Sequence, residues 1–156
     1  IEGTYESMAD RDAGWAAWRG TGRMPAFFEA WGDIADRGIS GEILDLKASQ
    51  TIEDENNTVA VRWISEPLWG KTQALIDLFT KWIIDPGPYT EHTARLVQPQ
   101  FGILGRLIFE VEYAGLEDYE AKTHAWGTQD GIESFNKTLG KLARPGGTTE
   151  LWHLVP

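Results

Sequence analysis

Apolar positions recur along this chain with two different periods, and the change of period marks its parts. Up to residue 40 the spacing is helical. Met8, Trp15 and Trp18 form one stripe, and Ser7 is placed to cap the first turn. Thr21-Gly22 breaks the pattern, and Pro25 stands where the first turn of a new helix tolerates it. Phe27, Phe28, Trp31, Ile34 and Ala35 follow at helical spacing, with Gly38 as the closing residue. Ile43 to Leu46 reads as a short strand, and Glu53-Asp54-Glu55-Asn56-Asn57 as a polar, acidic turn.

From residue 58 the alternation sharpens. Thr58 to Ser65 is rich in β-branched and aromatic residues and predicts a strand. Pro67 is expected to open a helix capped by Ser65 or Glu66, with Leu68, Leu75, Ile76, Phe79, Trp82 and Ile83 as its apolar stripe. Asp85-Pro86-Gly87-Pro88 stops it. His92 to Gln98 predicts a second strand, Pro99 to Gly105 a loop, and Arg106 to Tyr113 a third strand. Leu116, Tyr119 and Trp126 begin a helical region that Gly127 interrupts, and Ile132, Phe135, Leu139 and Leu142 resume it. After Pro145-Gly146-Gly147, Thr148 to Val155 predicts a last strand. Strand, helix, strand, strand, helix, strand is the split βαβ arrangement of a ferredoxin-like α+β fold with an antiparallel sheet. The expected organisation is a helical extension with an acidic loop over residues 1–57, then a ferredoxin-like domain over 58–156.

Alternation also sorts side chains by face. Val59, Val61 and Trp63 share a face, as do Leu107, Phe109, Val111 and Tyr113, and these are expected to meet the helices. The opposite face mixes apolar bulk (Ile64, Ile108, Trp152, Leu154) with charge (Arg62, Glu110, Glu112, Glu150). Leaving such apolar area wet costs about 25 cal/mol per Å². A symmetric dimer that packs two of these faces together removes that cost.

Composition narrows the partners. The 156 residues carry 14 Lys and Arg against 24 Asp and Glu, a net charge of −10. That balance argues against nucleic acid, whose binding rests on Lys and Arg neutralising phosphates, and against an anionic membrane surface. No apolar run approaches the ~20 residues of a membrane span. The N-terminus as given, which begins at Ile1, shows no basic-then-apolar leader pattern, and the expected location is cytoplasmic. The absence of cysteine excludes disulfides, thiolate metal sites and thiol nucleophiles. No HExxH spacing or EF-hand loop is present, and neither a metal nor another cofactor is expected. Gly102-Ile103-Leu104-Gly105 lacks the strand–GxGxxG–helix context of a nucleotide site, and no serine sits in a GxSxG elbow. The eight tryptophans are an excess suited both to core packing and to an apolar ligand cavity.

RLIFEVEY, GLEDYEAKTHAW, FNKTLGKL and the closing TTELWHLVP carry a resemblance. From about Thr58 to Pro156 the chain resembles the dimeric α/β-barrel superfamily, which contains the NIPSNAP and antibiotic-biosynthesis-monooxygenase families. The resemblance implies a homodimer. It also implies, among other activities, cofactor-independent oxygenases or cyclases acting on polyketides. Such chemistry needs a base of histidine type. His92, opening a strand near a barrel mouth, is the preferred base, since His153 shares a face with Leu151 and His124 lies on a helix toward solvent. Arg62 and Arg106 are the candidates to anchor a carbonyl or enolate oxygen, because a guanidinium meets oxyanions with several donors. Trp63, Phe101, Glu110 and Trp152 are the candidate substrate-binding residues. Two plainer accounts stand beside these. The glutamates pair with Arg62, Arg95 or Arg106 across strands. The whole domain is a non-catalytic dimeric ligand-binding or assembly module.

Overall fold

The computed structural model describes residues 4–34, 42–52, 56–84, 91–101 and 105–154. The chain divides into two compact units, Ile1–Ser40 and Gly41–Pro156. The first holds α1 (Met8–Gly20) and α2 (Met24–Ile34). Ser7 caps α1 as expected, its hydroxyl accepting from the Asp10 amide at 3.1 Å. Within this unit Trp18 meets Phe27 edge-on at 5.3 Å and Phe28 at 6.2 Å. The expected closing residue Gly38 lies outside the described residues.

The second unit contains β1 (Ile43–Gln50), β2 (Val59–Ser65), α3 (Thr72–Ile84), β3 (Ala94–Phe101), β4 (Leu107–Tyr113), α4 (Leu116–Gly127), α5 (Ile132–Leu142) and β5 (Thr148–His153). The strands form one antiparallel sheet in the order β1-β3-β4-β2-β5. β4 lies between β2 and β3, and β2 lies between β4 and β5, so the two βαβ halves interleave. This is the α+β, ferredoxin-like sheet expected from the sequence, with one strand added. β1 pairs along the outer edge of β3, so the sheet reaches back past residue 58 and the unit begins at Gly41. A bulge at Lys47 turns β1 over. It sets Ala48 opposite Leu96 in the core and Leu46 opposite Val97 on the other face.

Two local expectations are corrected. Pro67 does not open a helix. It bridges to Ala143, while the Leu68 amide donates to the Leu142 carbonyl and the Arg144 amide to the Glu66 carbonyl, both at 2.8 Å. These long-range bonds extend the ladder, and α3 starts only at Thr72, after a turn at Trp69-Gly70 where Gly70 has φ +72°. The second strand begins at Ala94 and runs through Pro99. Proline is accepted there because pairing with β4 ends at Val97, so no ladder donor is needed on that side.

The helix-side face is as alternation requires. Val59, Val61, Leu96, Leu107, Phe109, Val111 and Tyr113 pack against Leu75, Ile76, Phe79 and Ile83 of α3 and Phe135 of α5. Leu151 and His153, paired with Val61 and Val59 and so on this side, remain exposed because β5 is an edge strand.

Candidate functional site

The two sheet faces hold different chemistry. Across the face opposite the helices runs one row of directly opposed residues: Glu150, Arg62, Glu110, Arg95 and Ser49, one from each strand. Glu110 is the hub. It is 5% exposed and accepts from Arg62 on one side and from Arg95 Nη1 at 3.2 Å on the other. Arg95 also pairs with Glu112, whose second oxygen accepts from Asn57 at 3.3 Å. The Arg62 guanidinium lies 4.7 Å from the Trp152 ring centroid, and the Trp152 indole donates to Glu150 at 3.1 Å. Burial of a carboxylate at this depth demands paired charge, and the two arginines supply it. The plainer reading of Glu110 and Glu112, cross-strand pairing, is what the structure displays for Arg62 and Arg95. Arg106 instead pairs with Glu42.

The next row, Thr148, Ile64, Ile108, Val97 and Leu46, is mostly apolar. Its middle is closed, with Ile108 buried. Leu46 at its β1 edge is about half exposed (51%), as is Trp152 (48%), which lies on β5 beyond the ionic row, opposite Ala60.

On the helix side, six rings from five elements gather at one end of the sheet: Trp63 (β2), Phe79 and Trp82 (α3), Phe109 (β4), Trp126 (α4) and Phe135 (α5). Trp63 stacks on Phe109 at 5.5 Å, and Trp82 meets Phe135 edge-on at 4.4 Å. The rings wall a partly open cavity of about 430 Å³. That volume lies in the range of small-molecule sites, roughly 300–1,000 Å³. Its rim is the Arg144–Thr149 segment with Asn136 and Gly140 of α5. The cavity lies between sheet and helices of a single chain, not on the outer sheet face that a dimer would cover.

The expected site residues do not meet in one place. Trp63 lines the cavity. Arg62, Glu110 and Trp152 stand together, but on the opposite face of the sheet. Successive residues of a strand point to opposite faces, so Arg62 and Trp63 cannot serve one pocket. His92 is 4% exposed and rests against Tyr113 at 5.1 Å. Tyr113 and the cavity-lining Phe109 are four residues apart on β4, about 13 Å along the strand. His92 therefore sits at the far end of the helix-side face. Neither of its ring nitrogens has a hydrogen-bond partner among the described residues. The Phe101 side chain lies outside the described residues. Phe79, Trp82, Trp126, Phe135 and Arg144 were not singled out as site residues. The excess of tryptophan signals Trp82 and Trp126, the helical stripes that hold them with Phe79 and Phe135 read equally well as plain core, and Arg144 carries no such signal.

No family model matches the sequence, and no curated protein matches it. Among solved structures, the chain is similar to the crystal structure of an uncharacterized NIPSNAP domain protein from Burkholderia xenovorans. The TM-score is 0.49 at 17% identity, covering 63% of this chain and 93% of that one. Among the described residues, no helix is long and apolar enough to cross a membrane, and no group of acidic, histidine or cysteine side chains is arranged to hold a metal ion.

Proposed function

We propose that this protein binds a flat, hydrophobic small molecule in the aromatic cavity between sheet and helices. The observation that carries the reading is the wall of six rings around a space of about 430 Å³. Aromatic side chains offer large apolar area at fixed geometry, and edge-on and stacked pairs favour planar guests. Polyketide-like aromatics fit this description. Of the two readings open from the sequence, binding is favoured over His92-centred oxygenation or cyclisation, because His92, Arg62 and Arg106 do not converge on the cavity. The same proposal has the protein acting as a cytoplasmic homodimer, away from nucleic acid and membranes. Half-exposed Trp152 and Leu46 on the outer sheet face support the dimer, and the net charge of −10 supports the exclusions.

The test is a titration with N-phenylnaphthylamine, a neutral polycyclic dye that fluoresces when it leaves water. Saturable binding at one dye per chain, with energy transfer from tryptophan, is expected. A signal that rises linearly without saturation contradicts the reading.

A further inference from the structure

The cavity has a chemical polarity. Among its described lining residues, Arg144 alone carries a charge, and it stands on the rim. Its backbone is fixed, since the Arg144 amide donates to the Glu66 carbonyl at 2.8 Å and the preceding Ala143 bridges to Pro67. Its side chain is far less committed. The nearest carboxylate, Glu66 Oε2, is 3.6 Å from Arg144 Nη1, and the two side chains are 68% and 63% exposed. That distance is beyond hydrogen-bond length, and an ion pair so open to water is weak. A guanidinium held at its base and loosely paired at its tip is available to a better anion.

The surroundings favour that exchange. Beyond Arg144 the rim continues as Pro145, Gly146 and Gly147, with no long side chain to block the approach. The C-terminal end of α5 is nearby, and its carbonyls would repel an anion. Two of them are already occupied, the Leu142 carbonyl by the Leu68 amide and the Leu139 carbonyl by the Ala143 amide. The chain's net charge of −10 also opposes an anion. At physiological salt that field is screened beyond about 8 Å, while a direct contact at Arg144 is not.

We propose that the ligand of this cavity is a flat aromatic anion. Its rings lie among Trp63, Trp82, Trp126 and Phe135, and its carboxylate- or sulfonate-class group is held by Arg144 at the rim, displacing Glu66. The assignment rests on the cavity being a ligand site and adds which ligands it selects.

Two dyes that share one ring frame separate the two statements: N-phenylnaphthylamine, which is neutral, and anilinonaphthalene sulfonate, which is anionic. In 0.15 M salt the sulfonate should bind about tenfold more tightly than the neutral dye, the worth of one charge-assisted contact. Arg144→Gln should weaken the sulfonate about tenfold more than it changes the neutral dye, removing that advantage, and Arg144→Lys should keep part of it. Glu66→Gln, which frees the guanidinium, should increase it. Equal affinities for the two dyes, or a preference that survives Arg144→Gln, overturns the anion assignment and leaves the cavity standing. Failure of both dyes to bind overturns the cavity reading and this inference with it.

Discussion

Trp63 and Phe109 stand directly opposite each other on β2 and β4, and their rings stack at 5.5 Å with 24° between the planes. This cross-strand pair is part of both the hydrophobic core and the cavity wall. Phe79 meets Phe109 at 5.3 Å and Trp126 meets Trp63 at 6.5 Å, so helices and sheet share one aromatic wall. Core packing and pocket are therefore one structure, and most substitutions in the wall should move stability and binding together.

Phe135 is the strongest case. It is buried and touches Phe79, Trp82 and Trp126. Phe135→Ala should cost about 3–5 kcal/mol, the usual penalty for emptying a core aromatic site. Urea denaturation gives the value. A loss under ~1 kcal/mol would mean that the site collapses freely and that the wall is not rigid.

The ionic row should behave as a unit. Arg62→Met leaves buried Glu110 with Arg95 alone, and the expected cost is about 1–3 kcal/mol. A double-mutant cycle of Arg62→Met with Glu110→Gln should show coupling above ~1 kcal/mol, since the two groups touch. Additive losses would contradict the network.

Two glycines should respond with opposite signs. A Cβ on Gly147 would lie 2.8 Å from the Ile64 carbonyl oxygen, so β5 would have to shift away from β2. Gly147→Ala should destabilise by about 1–3 kcal/mol. Gly140 lies inside α5, and a Cβ there meets nothing within 4 Å. Gly140→Ala should stabilise by about 0.5–1 kcal/mol through helix propensity. Thermal melts of the two variants should move in opposite directions.

Alkaline stability should follow Tyr113. Burial pushes its phenol well above the usual tyrosine value of 10.0, and Tyr119 and Asp118 push it the same way. Below pH 10 the group is protonated folded and unfolded, and the stability it allows is fully present. Above that, the unfolded chain releases the proton while the folded chain holds it, so the unfolded state gains. Stability should fall by up to about 1.4 kcal/mol per pH unit above pH 10, until the raised folded value is reached. Tyr113→Phe should flatten that fall. An unchanged slope in the variant would assign it to other groups.

The sequence carries the fold more openly than the site, for physical reasons. Strands such as Arg106–Tyr113 announce themselves because the face toward the helices is uniformly apolar (Leu107, Phe109, Val111, Tyr113) while charged residues stand on the other, so a period of two shows even though both faces are largely buried. β1 reads only as far as Leu46 because it is an edge strand with Asp45, Lys47 and Ser49 interleaved, and its bulge breaks the period. Pro67 has the local chemistry of a helix start, and pairing with a segment more than 70 residues away overrides it. The cavity is harder to read still. Phe79, Trp82 and Phe135 have the spacing of core residues, which they are, and only the tertiary fold reveals that their rings leave a space between them. The face assignments, by contrast, already place Arg62 and Trp63 apart.

The most direct test of the cavity is an indole NMR map. The eight tryptophans give separate ring N–H signals, and N-phenylnaphthylamine can be titrated against all of them at once. Trp63, Trp82 and Trp126 should shift together and saturate at one equivalent, while Trp15, Trp69 and Trp152 stay in place. Shifts confined to that second group, with the first three silent, would contradict the cavity reading.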